Sequence, residues 1–409
     1  MANSSMPSSC RLNPKFAERH IFQDGVARDV AGANVRALQE VCMVRRGYGT
    51  VINGQKVGAG LPRLVKRSID VGFSSAAQVL HEKYSKKPLS KLMRAESPPS
   101  NKLTWNQKNF RHLVLLTSWL GFEAILDEVK SSKPKLQAMK SEGLNLLHKW
   151  LVKVQKHRQQ QGLHYDVPEK SDRLGMMARV CEEAPEIKAM LALAGDEGVT
   201  HEENIVVWTQ FPAQQILLWL VLLAIGQPVD MISSDMSPED REQVIVDFNS
   251  PSKKPRVLVL SYGLSSCGLN LHHASHITLH FDTPISKPVG DQANGRQGRL
   301  GAHEDVIVYT LGVTGTFNDR QYTNSLAKAL PSVITELNED LFAVKVTQDD
   351  VGDFEVSVGE FVRADGRITP YGSDMHRNAS RVAAVTTTEI ADALLDMARG
   401  RPVEIFFDD

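Results

Sequence analysis

Two arginines, Arg296 and Arg299, stand three residues apart, with Gln292 four residues before the first. On a helix that spacing would aim all three side chains from one face, and two guanidiniums so placed can clamp a polyphosphate. The elements that must carry them are legible just upstream. Val257 to Leu260 is a fully apolar run that stops at Ser261 and small residues, as a buried parallel strand does where it gives way to a loop. Ile277 to Phe281 repeats the pattern and stops at Asp282. Ligands of open α/β sheets sit outside the carboxyl ends of the strands, so Ser261 to Asn270 and Asp282 to Gln292 are expected to line one crevice.

The pattern reaches further back. Ile205 to Trp208 reads as a strand, followed by Thr209-Gln210-Phe211 and an apolar helix through Ile225. Pro228 to Ile232 is a second strand. Ser237-Pro238 starts a helix with a capping serine and proline in the first turn. Val306 to Tyr309 is a last strand, and Asp319 to Leu330 reads as a helix. Alternating strands and helices of this kind predict a doubly wound α/β lobe.

Residues 292–301, Q-A-N-G-R-Q-G-R-L-G, resemble the last helicase motif of the Swi/Snf-type DNA translocases, Q-x-x-G-R-x-x-R-x-G. Gly268-Leu269-Asn270-Leu271, with Ala274 and with Asp282 ten residues before Gln292, is similar to the motif that precedes it. The resemblance is colinear from about Ile187 to Leu311. It implies an α/β fold with a RecA-like (P-loop NTPase-type) parallel-sheet lobe, a mostly helical N-terminal region and an α+β C-terminal tail. The implied boundaries are 1–104 as an inter-lobe and hairpin region, 105–180 helical, 181–330 the lobe, and 331–409 an acidic extension.

In that family ATP lies between two lobes, the second supplying arginine fingers. The resemblance implies that Arg296 and Arg299 are those fingers, and that Gln292, Gly268, Gly295 and Asp282 serve the nucleotide. It further implies that Gln210, Ser261 and Asn270 face nucleic acid. Glutamine at 292, with Gly268-Leu269-Asn270, favours duplex-DNA translocases over RNA helicases. The implied partners are duplex DNA or chromatin and a first RecA-like lobe, and the implied location is the nucleus. Ile285 stands where the family has an aromatic, and Gly298 and Ala302 replace its His and Gln, which puts normal coupling in doubt while leaving both arginines.

The chain contains no G-x-x-x-x-G-K-[ST] loop and no Asp-Glu pair at the end of an apolar strand, so magnesium and phosphate holding would have to come from a first lobe. The expectation is half a motor, inactive by itself, whether a fragment or a standalone lobe. The alternative is a catalytically silent scaffold that binds nucleic acid or protein. A Rossmann reading fails because Gly263 to Gly268 lacks the G-x-G-x-x-G spacing.

Composition agrees with a globular chain: 409 residues, 42% hydrophobic and 23% charged, with a net charge of −1. That balance conceals a basic half, since residues 1–170 hold 28 Lys/Arg against 13 Asp/Glu. Four widely spaced cysteines form no C-x-x-C pair, so no metal site is expected. The ten-residue apolar run from Ile216 to Ile225 is too short to span a membrane, which takes roughly 20 residues, and reads as a core helix. No secretory signal begins the chain.

Upstream of the lobe, Val30 to Val44 reads as helical and Gly47 to Gly60 as hairpin-like, the latter with Arg45-Arg46 and Leu61-Pro62 resembling the exit of a first motor lobe. Ser74 to Tyr84 is a predicted helix, Ser85 to Leu103 a linker, Asn106 to Val129 one amphipathic helical stretch, and Leu144 to Arg158 a helix. The last ends in a basic cluster, Lys149, Lys153, Lys156, His157 and Arg158, read as facing water or phosphates.

Overall fold

The structure is a computed structural model. It describes residues 51–52, 54–56, 60–95, 103–129, 136–251, 256–264, 269–302, 304–318, 321, 360–362 and 368–370. Gly268, the predicted helix over 30–44 and all but Gln321 of that over 319–330 lie outside these, as does most of the acidic extension.

The chain divides into two compact units, one of residues 66–322 and one of residues 1–65 with 323–409. In the second, Val51–Ile52 (β1) pairs antiparallel with Gln55–Lys56 (β2) across Gly54, whose φ of 82° suits glycine. This is the expected hairpin.

The first unit is built on a six-stranded sheet and the helices around it. In chain order it contains β3 (Leu64–Val71), α1 (Ser75–Ser90), β4 (Met93–Ala95), β5 (Leu103–Trp105), α2 (Gln107–Ser118), α3 (Phe122–Val129), α4 (Leu136–Glu142), α5 (Leu144–Gln159), α6 (Arg173–Cys181) and α7 (Pro185–Leu193). A π-helical turn at Ala194–Thr200 follows, then β6 (Ile205–Thr209), α8 (Pro212–Ile225), β7 (Val229–Met231), α9 (Pro238–Asn249), β8 (Val257–Ser261), β9 (Ile277–His280), α10 (Lys287–Asn294) and β10 (Val306–Val313). The other unit also holds β11 (Glu360–Val362), paired antiparallel with β12 (Ile368–Pro370).

The sheet runs β3-β10-β9-β6-β8-β7, with every pair from β10 to β7 parallel. At its edge the Arg67 guanidinium donates to the Tyr309 hydroxyl mid-strand, and the Thr314 backbone N–H donates to the Val71 carbonyl at the end, so β3 runs the same way.

Alternation along the strands assigns the two faces. Ile205, Val207, Val257, Val259, Ile277 and Leu279 point into one core with α8 and the helices before it. Val206, Trp208, Leu258 and Leu260 point into another with Phe248, Leu271 and Ala293. Both faces being covered explains why the strands read as unbroken apolar runs.

The central helix α8 has no polar stripe because it is covered on both sides. Residues Ile216 to Leu222 are all buried, with the sheet beneath and α2, α4, α5 and α6 around the remainder. Its N-terminus is closed by the Phe211 N–H donating to Gln214 Oε1 at 2.9 Å, with Pro212 in the first turn, and its end by Gly226 at φ 78°. Over it sit Trp119, Trp150 and Phe122, with the Trp119 and Phe122 rings 5.5 Å apart. The helical region and the lobe thus share one core.

Three local readings are corrected. The stretch 85–103 is not all linker: α1 runs to Ser90 with Pro88 in its last turn, and β4 pairs antiparallel with β5. The stretch 106–129 is two helices, broken at Trp119 to Gly121, where a Cβ on Gly121 would run into the Trp119 indole. In the basic cluster on α5, Lys149, Lys153 and Lys156 are exposed as read, and Arg158 is the exception. Arg158 is 2% exposed and pairs with Glu183 at 2.8 Å and with the Tyr84 hydroxyl, Lys149 meets Glu142, and Lys153 meets Glu128.

Gln215, buried on α8, donates its amide to the carbonyls of Ile232 at 2.9 Å and Val259 at 3.3 Å. Replacing it by leucine takes the donor from the Ile232 carbonyl, while the Val259 carbonyl keeps the Ile232 N–H at 3.3 Å, so Gln215→Leu should cost about 1–3 kcal/mol in urea unfolding. An unchanged midpoint would show that water serves the Ile232 carbonyl instead.

Candidate functional site

The carboxyl ends of β6, β8 and β9 finish level, because Thr209 pairs with Ser261 and Trp208 with both Leu260 and His280. That register brings the residues after each strand to one edge. Gln210 donates its backbone N–H to Asp282 Oδ2 at 3.0 Å, tying the ends of β6 and β9 together. The Gln210 side-chain oxygen accepts from Gln321 Nε2 at 3.3 Å. Ser261 is buried, 7% exposed, at the end of β8.

Asp282 is fully buried, and that burial pushes its carboxyl up to about 7, against the pull of the Gln210 N–H and the Gln214 amide. Beside it, the Tyr262 hydroxyl lies 2.8 Å from the Asp282 carbonyl and 2.8 Å from His280 Nδ1. His280 Nε2 lies 2.8 Å from Asn294 Oδ1, on the last residue of α10. This buried chain fastens the end of α10 to β9 and to the turn after β8. Burial also drives the Tyr262 phenol well above its ordinary value. The sequence reading missed Tyr262, His280 and Asn294, although a histidine in an otherwise buried strand was a visible signal.

The arginines do not project from a continuing helix. The helix α10 ends at Asn294, and Gly295, at φ −65°, caps it. Arg296 and Arg299 lie in the turns that follow, where the Leu271 N–H takes the Arg296 carbonyl at 3.1 Å. Between them, buried Gln297 donates to Ser275 Oγ at 2.8 Å and to the Ile277 carbonyl at 2.9 Å. The turn is pinned to the sheet by Gln297, which leaves its two arginine neighbours partly exposed.

Arg299 donates Nε to the Gly295 carbonyl at 3.0 Å and Nη1 to Asn270 Oδ1. Asn270 is exposed, and its carbonyl accepts from Asn249 Nδ2 at 3.0 Å. Both acceptors of Arg299 are neutral, so they orient the guanidinium without cancelling its charge. Gln292 is exposed on α10. The structure therefore gathers Asn270, Gly295, Arg296 and Arg299 in one group and Gln210 and Asp282 in another, joined through Asn294 and Gly295.

Residues 187–301 match the helicase conserved C-terminal domain. The DNA repair and recombination protein RAD54-like of Gallus gallus is 31% identical over 111 residues, covering 27% of this chain and 15% of that protein. The DNA repair protein rhp54 of Schizosaccharomyces pombe is 26% identical over 141 residues, 34% of this chain and 16% of that one. Residues 187–301 are similar to the helicase C-terminal lobe of Swi/Snf-type proteins.

A putative SWI/SNF-related matrix-associated actin-dependent regulator of chromatin, subfamily A member 3-like 1, of Arabidopsis thaliana is 29% identical over 151 residues, 36% of this chain and 17% of that protein. The chain thus spans about 15% of the length of the curated relatives it matches. Among solved structures, the C-terminal part of the Fun30 ATPase domain aligns with a TM-score of 0.44 at 17% identity, covering 68% of this chain and 98% of that one. The matched segment begins in α7 and ends at Gly301, so it contains every strand end and turn described above except β10 and β3.

The raised value of Asp282 fixes the sign of a pH effect. Unfolded, the carboxyl titrates near 3.9; folded, near 7. Between these values the folded lobe holds more protons than the unfolded chain, so this residue makes stability fall as pH rises from about 4 to about 7 and level off above. Asp282→Asn should flatten that slope in urea titrations taken across this range. An identical slope in the variant would place the titration elsewhere.

Proposed function

We propose that the chain is the second motor lobe of a Swi/Snf-type, ATP-dependent translocase of duplex DNA, acting in the nucleus on DNA or chromatin beside a first RecA-like lobe. The observation that carries this reading is the turn after α10: Arg296 and Arg299 are partly exposed on a turn that Gln297 pins to Ser275 and Ile277 at the start of β9, with Arg299 held by neutral oxygens. A guanidinium so held keeps its charge and its planar fork for a phosphate, which is the fit a nucleotide's triphosphate requires.

In this reading ATP supplies the phosphoryl group that is hydrolysed, with magnesium and the phosphate-cradling loop furnished by the first lobe. Arg296 and Arg299 meet phosphate charge, Gln292 orients the nucleotide, and Gly295 ends α10 so that both arginines leave it on a turn. Gly268, by the family pattern, lets the backbone approach. Asp282 holds the Gln210 loop in place from beneath and touches nothing outside. Gln210 and Asn270 lie on the loops assigned to DNA, and Ser261, buried, supports those loops from the strand end. The relatives' printed names concern DNA repair, recombination and chromatin, which supports DNA as the polymer.

The chain by itself should hydrolyse ATP no faster than background, with or without DNA. Joined to a matching first lobe it should become active, and Arg296→Ala or Arg299→Ala should then lower turnover by roughly 10³ or more, as for groups acting on transition-state charge. Lysine at either position should not restore it. Hydrolysis by the chain alone, or full activity in both variants, would overturn the assignment.

Duplex binding provides a second test. Contacts to phosphates release counterions, so affinity should fall steeply, without sequence preference, between about 50 and 200 mM salt. Binding that ignores salt would contradict a phosphate-tracking surface. If DNA binding persists while the joined lobes never hydrolyse ATP, the scaffold alternative takes its place.

A further inference from the structure

At the amino-terminal edge of the sheet three residues converge that the motor reading does not use. Glu203 stands two residues before β6, His276 one before β9, and Glu304 two before β10. These strands are neighbours in the order β10-β9-β6, with His276 in the middle. One ligand atom from each residue lies within 4.8 Å of the other two.

We propose that Glu203, His276 and Glu304 bind a divalent transition-metal ion of the zinc class. The Glu203 carboxylate is 3.6 Å from His276 Nδ1 and the Glu304 carboxylate 3.5 Å from Nε2. Charge-assisted hydrogen bonds close to about 2.7–2.9 Å, so neither carboxylate has closed on the ring. Ligands at about 2.0–2.2 Å from an ion sit roughly 3–3.5 Å from one another, and because the two carboxylates stand at different ring nitrogens, an ion on one nitrogen requires the other glutamate, or the ring, to turn toward it.

Charge points the same way. With a neutral imidazole the two carboxylates leave two negative charges together, which a divalent ion cancels and a single proton on the ring does not. One nitrogen and two oxygens suit zinc, whereas magnesium and calcium prefer oxygen alone. The side chains of His276, Glu203 and Glu304 are 18%, 34% and 64% exposed, which leaves a side open for water to complete the coordination.

The backbone holds two of the ligands in place before any ion arrives. Asn204, next to Glu203, donates Nδ2 to the Ala274 carbonyl at 3.0 Å and accepts the Arg256 N–H at 2.7 Å. Ser275, next to His276, donates Oγ to the Asn204 carbonyl at 2.6 Å. His276 itself accepts the Ile307 N–H at 2.9 Å. Glu304, five residues beyond Arg299, is the mobile partner in the chemical sense: it has the most exposed side chain, and an ion would fasten the segment between the arginine turn and β10 to β6 and β9. The proposal does not depend on the nucleotide reading.

The test is calorimetric titration of zinc chloride into the tag-free, metal-stripped, reduced full chain at about pH 7.5, with thermal unfolding in parallel. The expected result is an ion bound per chain and a raised Tm, with this binding lost in His276→Ala and weakened about tenfold or more in Glu203→Gln and Glu304→Gln. His164→Ala, which removes an exposed histidine 3.0 Å from Asp166, should leave it intact. Magnesium should not compete, and lowering the pH to about 5.5 should weaken binding, since histidine ligates only when deprotonated. Should His276→Ala fail to fold, the exposed Glu304→Gln decides. Absence of zinc binding, or zinc binding unchanged in Glu304→Gln, would overturn the proposal and leave the cluster as a histidine between two carboxylates.

Discussion

The common register of β6, β8 and β9 is the constraint on which the remainder of the lobe depends. Thr209 and Ser261 end β6 and β8 at one level, and His280 ends β9 one residue before it, because the rows from Ile205, Val257 and Ile277 start level and pack on both faces. A one-residue slip in any of them would turn its apolar side chains to the wrong core and carry its loop with it. The Gln210–Asp282 bond exists only in this register. Placing an ionisable carboxyl in a fully buried position is unfavourable, and its upward shift to about 7 measures that conflict.

Much of this was legible in the sequence because it is local. Apolar runs of four or five residues bounded by small or polar ones gave β6, β8 and β9, Ser237-Pro238 gave the start of α9, and the ten-residue apolar run gave a two-sided helix. Where the reading failed, a tertiary contact had overridden a local rule. The spacing of Gln292, Arg296 and Arg299 suits a helical face, yet the helix stops at Asn294. Two glycines, Gly295 and Gly298, each weaken a helix by about 1 kcal/mol, and Gln297 gains buried bonds to Ser275 and Ile277 that a continued helix would not offer. Likewise α1 runs on past Tyr84 through lysines and Pro88, which suggested a linker when taken alone.

The candidate site divides along the same line. Its charged members, Arg296 and Arg299, stood out by type and spacing. The groups that hold them did not, because Tyr262, His280 and Asn294 are 14 to 32 residues apart and meet only when the sheet is assembled. Arg158 shows the reverse error: in sequence it belongs to a basic patch, and in the fold it is a buried ion pair with Glu183 beneath Tyr84. Charge patterns along a chain describe solvent exposure only after the core has taken what it needs.

The central claim is that the turn after α10 presents its guanidiniums to a nucleotide held by another lobe. The most direct measurement is a structure of the chain joined to a first RecA-like lobe, with DNA and ADP–aluminium fluoride. The account predicts the Arg296 guanidinium within about 2.7–3.2 Å of the fluoroaluminate, with Arg299 turned from Asn270 toward the phosphates. A fluoroaluminate fully enclosed by the first lobe, with Arg299 still on Asn270 and Arg296 out of reach, would contradict it.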